Sequence, residues 1–461
     1  MKLKSSTATR RTNHGRLLKK SKRFPSKDSP AETPPDAGLN GTIHTCVLPK
    51  VDDRLEFKRA ISDHSTRTIT PVINRGTDIS SLLPANAPRA VGRHSASPRL
   101  RIVIIGLSIT SSWGNGHATT YRGLVRELSG RGHDVLFLER DTEWYASNRD
   151  LPNPPYGRTE LYADFNDLRQ RFAAEVRSAN LVIVGSYVSQ GIEVGEWVTR
   201  VAQGATAFYD IDTPVTMANL PQGKTDYISA ELIARYNIYL SFTGGPILDF
   251  LETHYHSPMA RPLYCSVDAM LYFPEERELK WDLGYMGTYS DDRQPVLEKL
   301  LLDPARQWNR GRFVVAGPQY PRSLRWPKNV KRFTHLSPAK HRAFYNSQKF
   351  TLNVTRANMV AAGYSPSVRL FEAAACATPI ISDWWNGLDD FFEPGKEILI
   401  SRSSEETLNF LKEISEIDRR RIGYRARERV LARHTSRQRA QELEAYALEI
   451  LRPTLARSAA S

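Results

Sequence analysis

Cysteine is scarce in this 461-residue chain: Cys46, Cys265 and Cys376 are far apart and odd in number. Without a CxxC pair or a Cys/His cluster, they support neither a disulfide framework nor a structural zinc site. They read as buried, inert thiols in a reducing compartment. Long apolar runs are also missing. The longest, Ile102–Leu107, has the length of a buried strand and falls well short of the ~18 residues of a membrane-spanning helix. Acid is absent from the first 27 residues, which hold ten Lys or Arg. No apolar core follows those charges, so no secretory signal is expected. The segment has the composition of a transit peptide, if the source is eukaryotic, or of a plain disordered arm. The expected location is cytoplasmic.

The charge that is present is unevenly placed. Residues 1–99 carry 19 Lys/Arg against 8 Asp/Glu, a net +11, whereas the remaining 362 carry 45 against 42, a net +3. The basic character therefore belongs to an N-terminal extension, 1–98, rich in Pro, Ser and Thr and expected to be disordered. That arm suits anionic surfaces and says little about the folded body. From Leu100 onward, near-continuous apolar runs alternate with amphipathic stretches. Strands are expected at Arg101–Leu107, Asp134–Glu139, Leu181–Ser186, Ala205–Tyr209 and Ile238–Phe242, with helices between, one of them over Leu161–Val176. The alternation restarts after Pro274, with strands at Leu283–Thr288, Arg312–Ala316, Val330–Phe333, Phe350–Val354, Pro379–Ser382 and Ile398–Ile400. Such a pattern implies parallel sheets covered on both faces, hence two doubly wound α/β domains at about 99–270 and 280–430. The charged helical stretch Glu405–Arg452 is long enough to pack back across a domain junction, and 431–461 is set apart as a C-terminal helix and tail.

In open α/β sheets, ligands lie beyond the carboxyl ends of the strands, which selects five loops. Ser108–His117 (SITSSWGNGH) follows the first strand. Its Gly114, Asn115 and Gly116 let the backbone approach an acceptor, and His117 opens a helix whose dipole keeps the imidazole neutral and able to take a proton. His117 is either a catalytic group or simply a polar first residue of the helix. Tyr209–Thr213 (YDIDT) offers Asp210 and Asp212 to orient or deprotonate a hydroxyl, or to cap a turn. Gly287–Arg293 (GTYSDDR) supplies Gly287, Thr288 and Arg293 to a phosphate, with Asp291 or Asp292 as the competing helix cap. Asn353–Arg356 (NVTR) places Asn353 and Arg356 where a base or phosphate could meet them.

The fifth loop opens SPSVRLFEAAACATPIISD, residues 365–383. Ser365 is the expected N-cap and Pro366 the first helical residue. The free N–H groups of such a helix start can meet a phosphate. Glu372, some 10 Å further along the axis at ~1.5 Å per residue, reaches a ribose diol. The alternative is a surface helix with a solvated Glu372.

These residues resemble the nucleotide-sugar segment of glycosyltransferases with the GT-B fold: the E-A-x-A-x-G-x-P-x-[IV]-x-S signature stands here as EAAACATPIIS. The pairing of GNGHATTYR with SVRLFEAAACATPIISD and NGLDDFFEPGKEILI is similar to CgeB-like, spore-maturation-type glycosyltransferases over roughly residues 100–450. The resemblance implies two Rossmann-like domains facing a cleft. A nucleoside-diphosphate sugar, UDP-linked by default, would lie on the second and a glycan, protein or small-molecule acceptor on the first. It implies no cofactor and no required metal. DxD is also a metal motif of another glycosyltransferase fold, but that fold has one dominant domain. On this reading Glu372 holds the ribose, Ser365 and Ser367 present donors to the diphosphate, and Arg293 or Arg369 stabilises the leaving group. Tyr364 stands where many relatives have a first Glu eight residues earlier and is placed among the donor contacts, and Ala377 replaces the usual Gly. His117 matches the histidine that some inverting members carry after a Gly-rich loop. With His117 or Asp212 as base, the expected reaction is sugar transfer. The competing readings are a nucleotide-sugar epimerase on the same fold and a non-catalytic nucleotide-sugar-binding or coat-associated protein.

Overall fold

A computed structural model describes residues 98–113 and 116–452 with their side chains and 453–459 as backbone. The basic extension, apart from Pro98, lies outside the described residues, as do Gly114 and Asn115.

The first domain is a seven-stranded, all-parallel sheet. Its strands are β1 (Arg101–Gly106), β2 (Asp134–Arg140), β3 (Arg158–Tyr162), β4 (Leu181–Gly185), β5 (Ala205–Asp210), β6 (Ile238–Ser241) and β7 (Ala260–Pro262), in the order β3-β2-β1-β4-β5-β6-β7. Ile102 to Ile105 pair in register with Leu181 to Val184, and every one of these side chains is buried. This follows from their apolar runs, since a strand covered on both faces has no polar side to show. The second domain has six parallel strands. They are β8 (Trp281–Met286), β9 (Phe313–Ala316), β10 (Val330–Phe333), β11 (Gln348–Asn353), β12 (Ile380–Ser382) and β13 (Leu399–Ile400), in the order β10-β9-β8-β11-β12-β13.

Two expectations need correction. The helix expected over Leu161–Val176 begins at Phe165, capped by Asp164, whose carboxylate accepts from the Asn166 and Asp167 N–H groups. Leu161 instead lies in the edge strand β3, whose polar sequence RTELY carries little apolar signal because most of it is only partly buried. The second correction concerns the helix in the 365–383 segment. It spans Val368–Ala375, with Ser367 and not Ser365 at the N-cap. Ser365 is drawn away into the neighbouring domain, where the Thr243 hydroxyl donates to its oxygen at 3.0 Å.

The chain crosses between the domains twice. The segment after β7 leads into the second domain, and the return is made by helix Glu416–Arg433 followed by Ser436–Ala459. Val267 and Thr435 form a parallel bridge where the two crossings meet. Helix Ser436–Ala459 then lies on the first domain. Its Ala440, Leu443, Ala447 and Leu451, one stripe of a 3.6-residue period, pack with Leu124, Val125 and Leu128 of helix His117–Gly130. Arg131 pairs with Glu444 on the same contact. The long C-terminal stretch thus returns across the junction as expected.

Tyr364 marks the junction on its cleft side. Its φ is +46°, and its ring is wedged between Gly245 of the first domain and Gly387 of the second. A Cβ on either glycine would come within 2.4 Å of that ring. Its carbonyl accepts from the Gly244 N–H at 3.0 Å, and its own N–H donates to the Asn386 carbonyl at 2.7 Å.

Candidate active site

Strand order reverses direction at β1/β4 in the first sheet and at β8/β11 in the second. These are the switch points at which connections leave to opposite faces and open a crevice. The loops after those four strands and after β5 carry the side chains that matter.

On the first domain, three groups meet. His117 is the first residue of helix His117–Gly130. Its ring lies edge-on to that of Tyr187, with centroids 5.5 Å apart. Tyr187 follows β4 with φ +62°, and its hydroxyl donates to Asp212 Oδ2 at 3.0 Å. Asp212 stands at the start of helix Thr213–Asn219 but caps no N–H with its side chain, so its carboxylate is directed at Tyr187. Burial raises the Asp212 pKa, opposed by the Arg356 charge and the Tyr187 hydrogen bond. Burial also lowers the His117 pKa, to about 4. The imidazole is therefore neutral at pH 7, as expected, although burial rather than the helix dipole is the principal cause.

The two acids of YDIDT do different things. Asp210 is fully buried, accepting from the Tyr239 hydroxyl at 2.5 Å, the Thr216 hydroxyl at 2.9 Å and the Asp212 N–H at 3.1 Å. Burial pushes its pKa up to about 6. It fixes the strand end and leaves Asp212 as the acid of this pair on the cleft side. Among the described residues, no group of three or more His, Cys, Asp or Glu side chains is arranged to hold a metal ion.

Across the cleft the second domain presents cations. Arg356 Nη1 lies 3.8 Å from Asp212 Oδ2, an ion pair that joins the two domains. Arg369 donates from Nε to the Met286 carbonyl at 2.5 Å and from Nη1 to Asn353 Oδ1 at 2.9 Å. The Ser367 hydroxyl donates to the same Asn353 oxygen at 2.9 Å. Arg293 donates to the Thr288 carbonyl at 2.6 Å and to the Ser290 hydroxyl at 2.9 Å. Its own pKa is lowered, first by burial and then by the like charges of Arg369 and Arg356. Three guanidinium groups therefore share one region at the ends of β8 and β11, a field that favours a polyanion. Gly287 sits among them: a Cβ there would lie 3.1 Å from Arg369 Nη2 and 2.4 Å from the Tyr285 hydroxyl. Gly116, the described member of the expected acceptor loop, is exposed and immediately precedes His117.

Glu372 is placed differently from Ser367 and Arg369. It lies at the fifth position of its helix and is only 5 % exposed, and its Oε2 accepts from the Tyr345 hydroxyl at 3.0 Å. Ser365 is likewise buried, and Tyr364 is engaged in the domain junction described above. Of the residues expected at the donor site, the structure thus groups Gly287, Thr288, Arg293, Asn353, Arg356, Ser367 and Arg369, and sets Tyr364, Ser365 and Glu372 apart from them. Tyr187 was not among the expected residues. The strand-end rule applied to β4, which the apolar run LVIVG announces, was the signal that could have found it.

Comparison with known proteins bears on the fold. Residues 293–445 match the family model described as Glycosyl transferase-like. Sucrose-phosphate synthase from Thermosynechococcus elongatus superposes with a TM-score of 0.54 at 14% identity, covering 78% of this chain and 100% of that one. Anabaena HepE, solved with UDP and glucose, gives 0.57 at 13% identity over 76% of this chain and 100% of its own. An alpha-glucosyltransferase, solved with UDP-glucose and DNA containing an abasic site, gives 0.58 at 12% identity with 76% and 100% coverage. No curated protein matches the chain. The protein has the GT-B fold, and the stretch that matches the family model runs from its second domain into the C-terminal helices. Among the described residues, no helix is long and apolar enough to cross a membrane.

Proposed function

We propose that the protein is a glycosyltransferase that moves a sugar from a nucleoside-diphosphate sugar to a hydroxyl acceptor without a metal. The observation that carries this reading is the opposition of Arg293, Arg356 and Arg369 on one wall of the cleft to Asp212, Tyr187 and His117 on the other. Sugar transfer places positive charge on the anomeric carbon and negative charge on the departing diphosphate. Fixed guanidinium groups and the start of helix Val368–Ala375 stabilise that leaving group, while a carboxylate held by Tyr187 and Arg356 can take the acceptor proton. In an inverting reaction Asp212 or His117 is that base; in a retaining one the leaving phosphate takes the proton. UDP is the donor nucleotide we favour, because UDP accompanies two of the structural neighbours. The CgeB-like subfamily, hexosyl specificity and a cytoplasmic setting belong to the same proposal.

The donor contacts divide into two tiers. Arg293, Arg356, Arg369, Ser367 and the Gly287–Thr288 backbone hold the diphosphate. Glu372 holds the ribose once Tyr345 has yielded its hydrogen bond. Calorimetric titration with UDP tests both tiers: Arg369→Ala and Glu372→Gln should each weaken UDP binding, and wild-type affinity in Glu372→Gln would remove it from the site. Incubation with UDP-glucose and candidate acceptors, followed by NMR of the product anomer, tests the reaction. Donor that binds and is never consumed would leave a binding protein, and donor isomerised without acceptor would leave an epimerase.

A further inference from the structure

Buried polar atoms without a protein partner are few in a folded chain, because each costs about 1–3 kcal/mol when left unmet. Here four of them converge. Both ring nitrogens of His434, Arg439 Nε and Glu442 Oε2 have no hydrogen-bond partner among the described residues. All three side chains line one cavity of about 370 Å³, together with Tyr264 and Tyr446. His434 is 6 % exposed and Arg439 4 %. The cavity lies where the chain crosses between the domains, and its residues are distinct from those of the cleft. The His434 ring stacks on Phe371 at 4.6 Å and 8°, so the cavity backs directly onto the helix that bears Glu372.

The unmet groups define what would fit. Arg439 Nε requires an acceptor and Glu442 Oε2 requires a donor. His434 is held neutral, its pKa lowered to about 3 by burial and by Arg439, Arg433 and Arg429, so one ring nitrogen donates and the other accepts. Hydroxyl groups answer both needs at once. An anion would answer the donors but would confront Glu442, whose other oxygen already lies 3.2 Å from Arg439 and balances that charge. Tyr264 and Tyr446 supply ring surface for an apolar C–H face, and the volume lies within the ~300–1,000 Å³ of small-molecule sites. We propose that this cavity is a second ligand site, separate from the cleft, for a neutral polyhydroxylated molecule of monosaccharide size.

The test uses the full chain with D-glucose as the probe and saturating UDP present to occupy the cleft. Saturable glucose binding in the millimolar range is expected by saturation-transfer NMR. Glu442→Ala and Glu442→Gln should each weaken it at least tenfold, with UDP affinity within about twofold of wild type and an unchanged melting temperature confirming the fold. His434→Gln, which keeps a donor and an acceptor, should retain part of the affinity. Absence of saturable binding, binding indifferent to both Glu442 variants, or displacement of glucose by inorganic phosphate would each overturn the proposal. The first outcome would leave a solvent-filled cavity, the second a glucose site elsewhere, and the third an anion site.

Discussion

The two walls of the cleft are built on the same plan and carry opposite chemistry. Each is a parallel sheet whose direction reverses beside its first strand, β1 or β8, and each places its polar groups in the loops that follow. The first wall holds a half-buried carboxylate, a neutral imidazole and a tyrosine; the second holds three arginines. A shared fold therefore fixes where a site lies, while a handful of loop residues fix its sign. The two walls meet in one ion pair, Asp212 with Arg356, so the same contact that joins the domains also keeps the proposed base charged and oriented.

The comparison breaks if the walls do not divide the labour. The largest effect is expected on the first. Asp212→Asn should lower turnover ~10²- to 10⁴-fold while changing UDP affinity less than about threefold. His117→Ala in parallel identifies which of the two is the base, and a variant with wild-type turnover is removed from that role. Next comes the second wall. Arg369→Ala should weaken UDP binding ~10- to 100-fold, the loss of a charge-assisted contact of ~1.5–3 kcal/mol, and calorimetry would refute the arginine assignment if affinity held. Tyr187→Phe should cost ~3- to 10-fold in turnover, about one hydrogen bond's worth.

The pH dependence sharpens the same point. A base must be deprotonated, so turnover is lost as pH falls through its pKa. With His117 as the base, lowered to about 4 by burial, that loss falls well below the 6.5 of a solvated histidine; with Asp212 as the base, burial moves it above the ordinary carboxylate value. If Asp212 is the base, Tyr187→Phe moves the loss to higher pH, because the Tyr187 hydrogen bond lowers the Asp212 pKa. An acid limb near 6.5 in the wild type would contradict the buried imidazole of His117 as the base. The smallest effect concerns stability alone. Ala377 ends the donor helix region at φ +54°, where a Cβ is strained by ~1 kcal/mol or more. Ala377→Gly should raise stability by about 0.5–1 kcal/mol in chemical denaturation without altering turnover.

Much of this was legible in the chain. RIVIIG and LVIVG, apolar throughout, could only be central parallel strands, and the carboxyl ends of the strands expected at Arg101–Leu107, Ala205–Tyr209, Leu283–Thr288 and Phe350–Val354 located the loops with His117, Asp212, Arg293 and Arg356. The residues whose surroundings local sequence did not show share one property: their contacts are with partners distant in sequence. Ser365 has the local chemistry of an N-cap, yet Thr243, 122 residues earlier, holds it. Tyr364 stands in the motif position of a donor contact, yet Gly245 and Gly387 enclose it at the junction. Asp210 and Asp212 are nearly identical in sequence context, and only the packing of Tyr239 and Thr216 sent one into the core.

The sequence by itself determined two doubly wound domains, the strand-end loops and the cationic character of the second set, because strand burial and turn chemistry are written in local patterns of apolar and polar residues. Tertiary structure alone decided which polar groups face the cleft and which are consumed in the core. It also decided that Tyr187 completes the first wall, and that His434, Arg439 and Glu442, spread over nine residues of the C-terminal stretch, converge on a cavity of their own. The physical reason is the same in each case: a buried polar atom must find a partner, and the partner is chosen by the fold rather than by its neighbours in the chain.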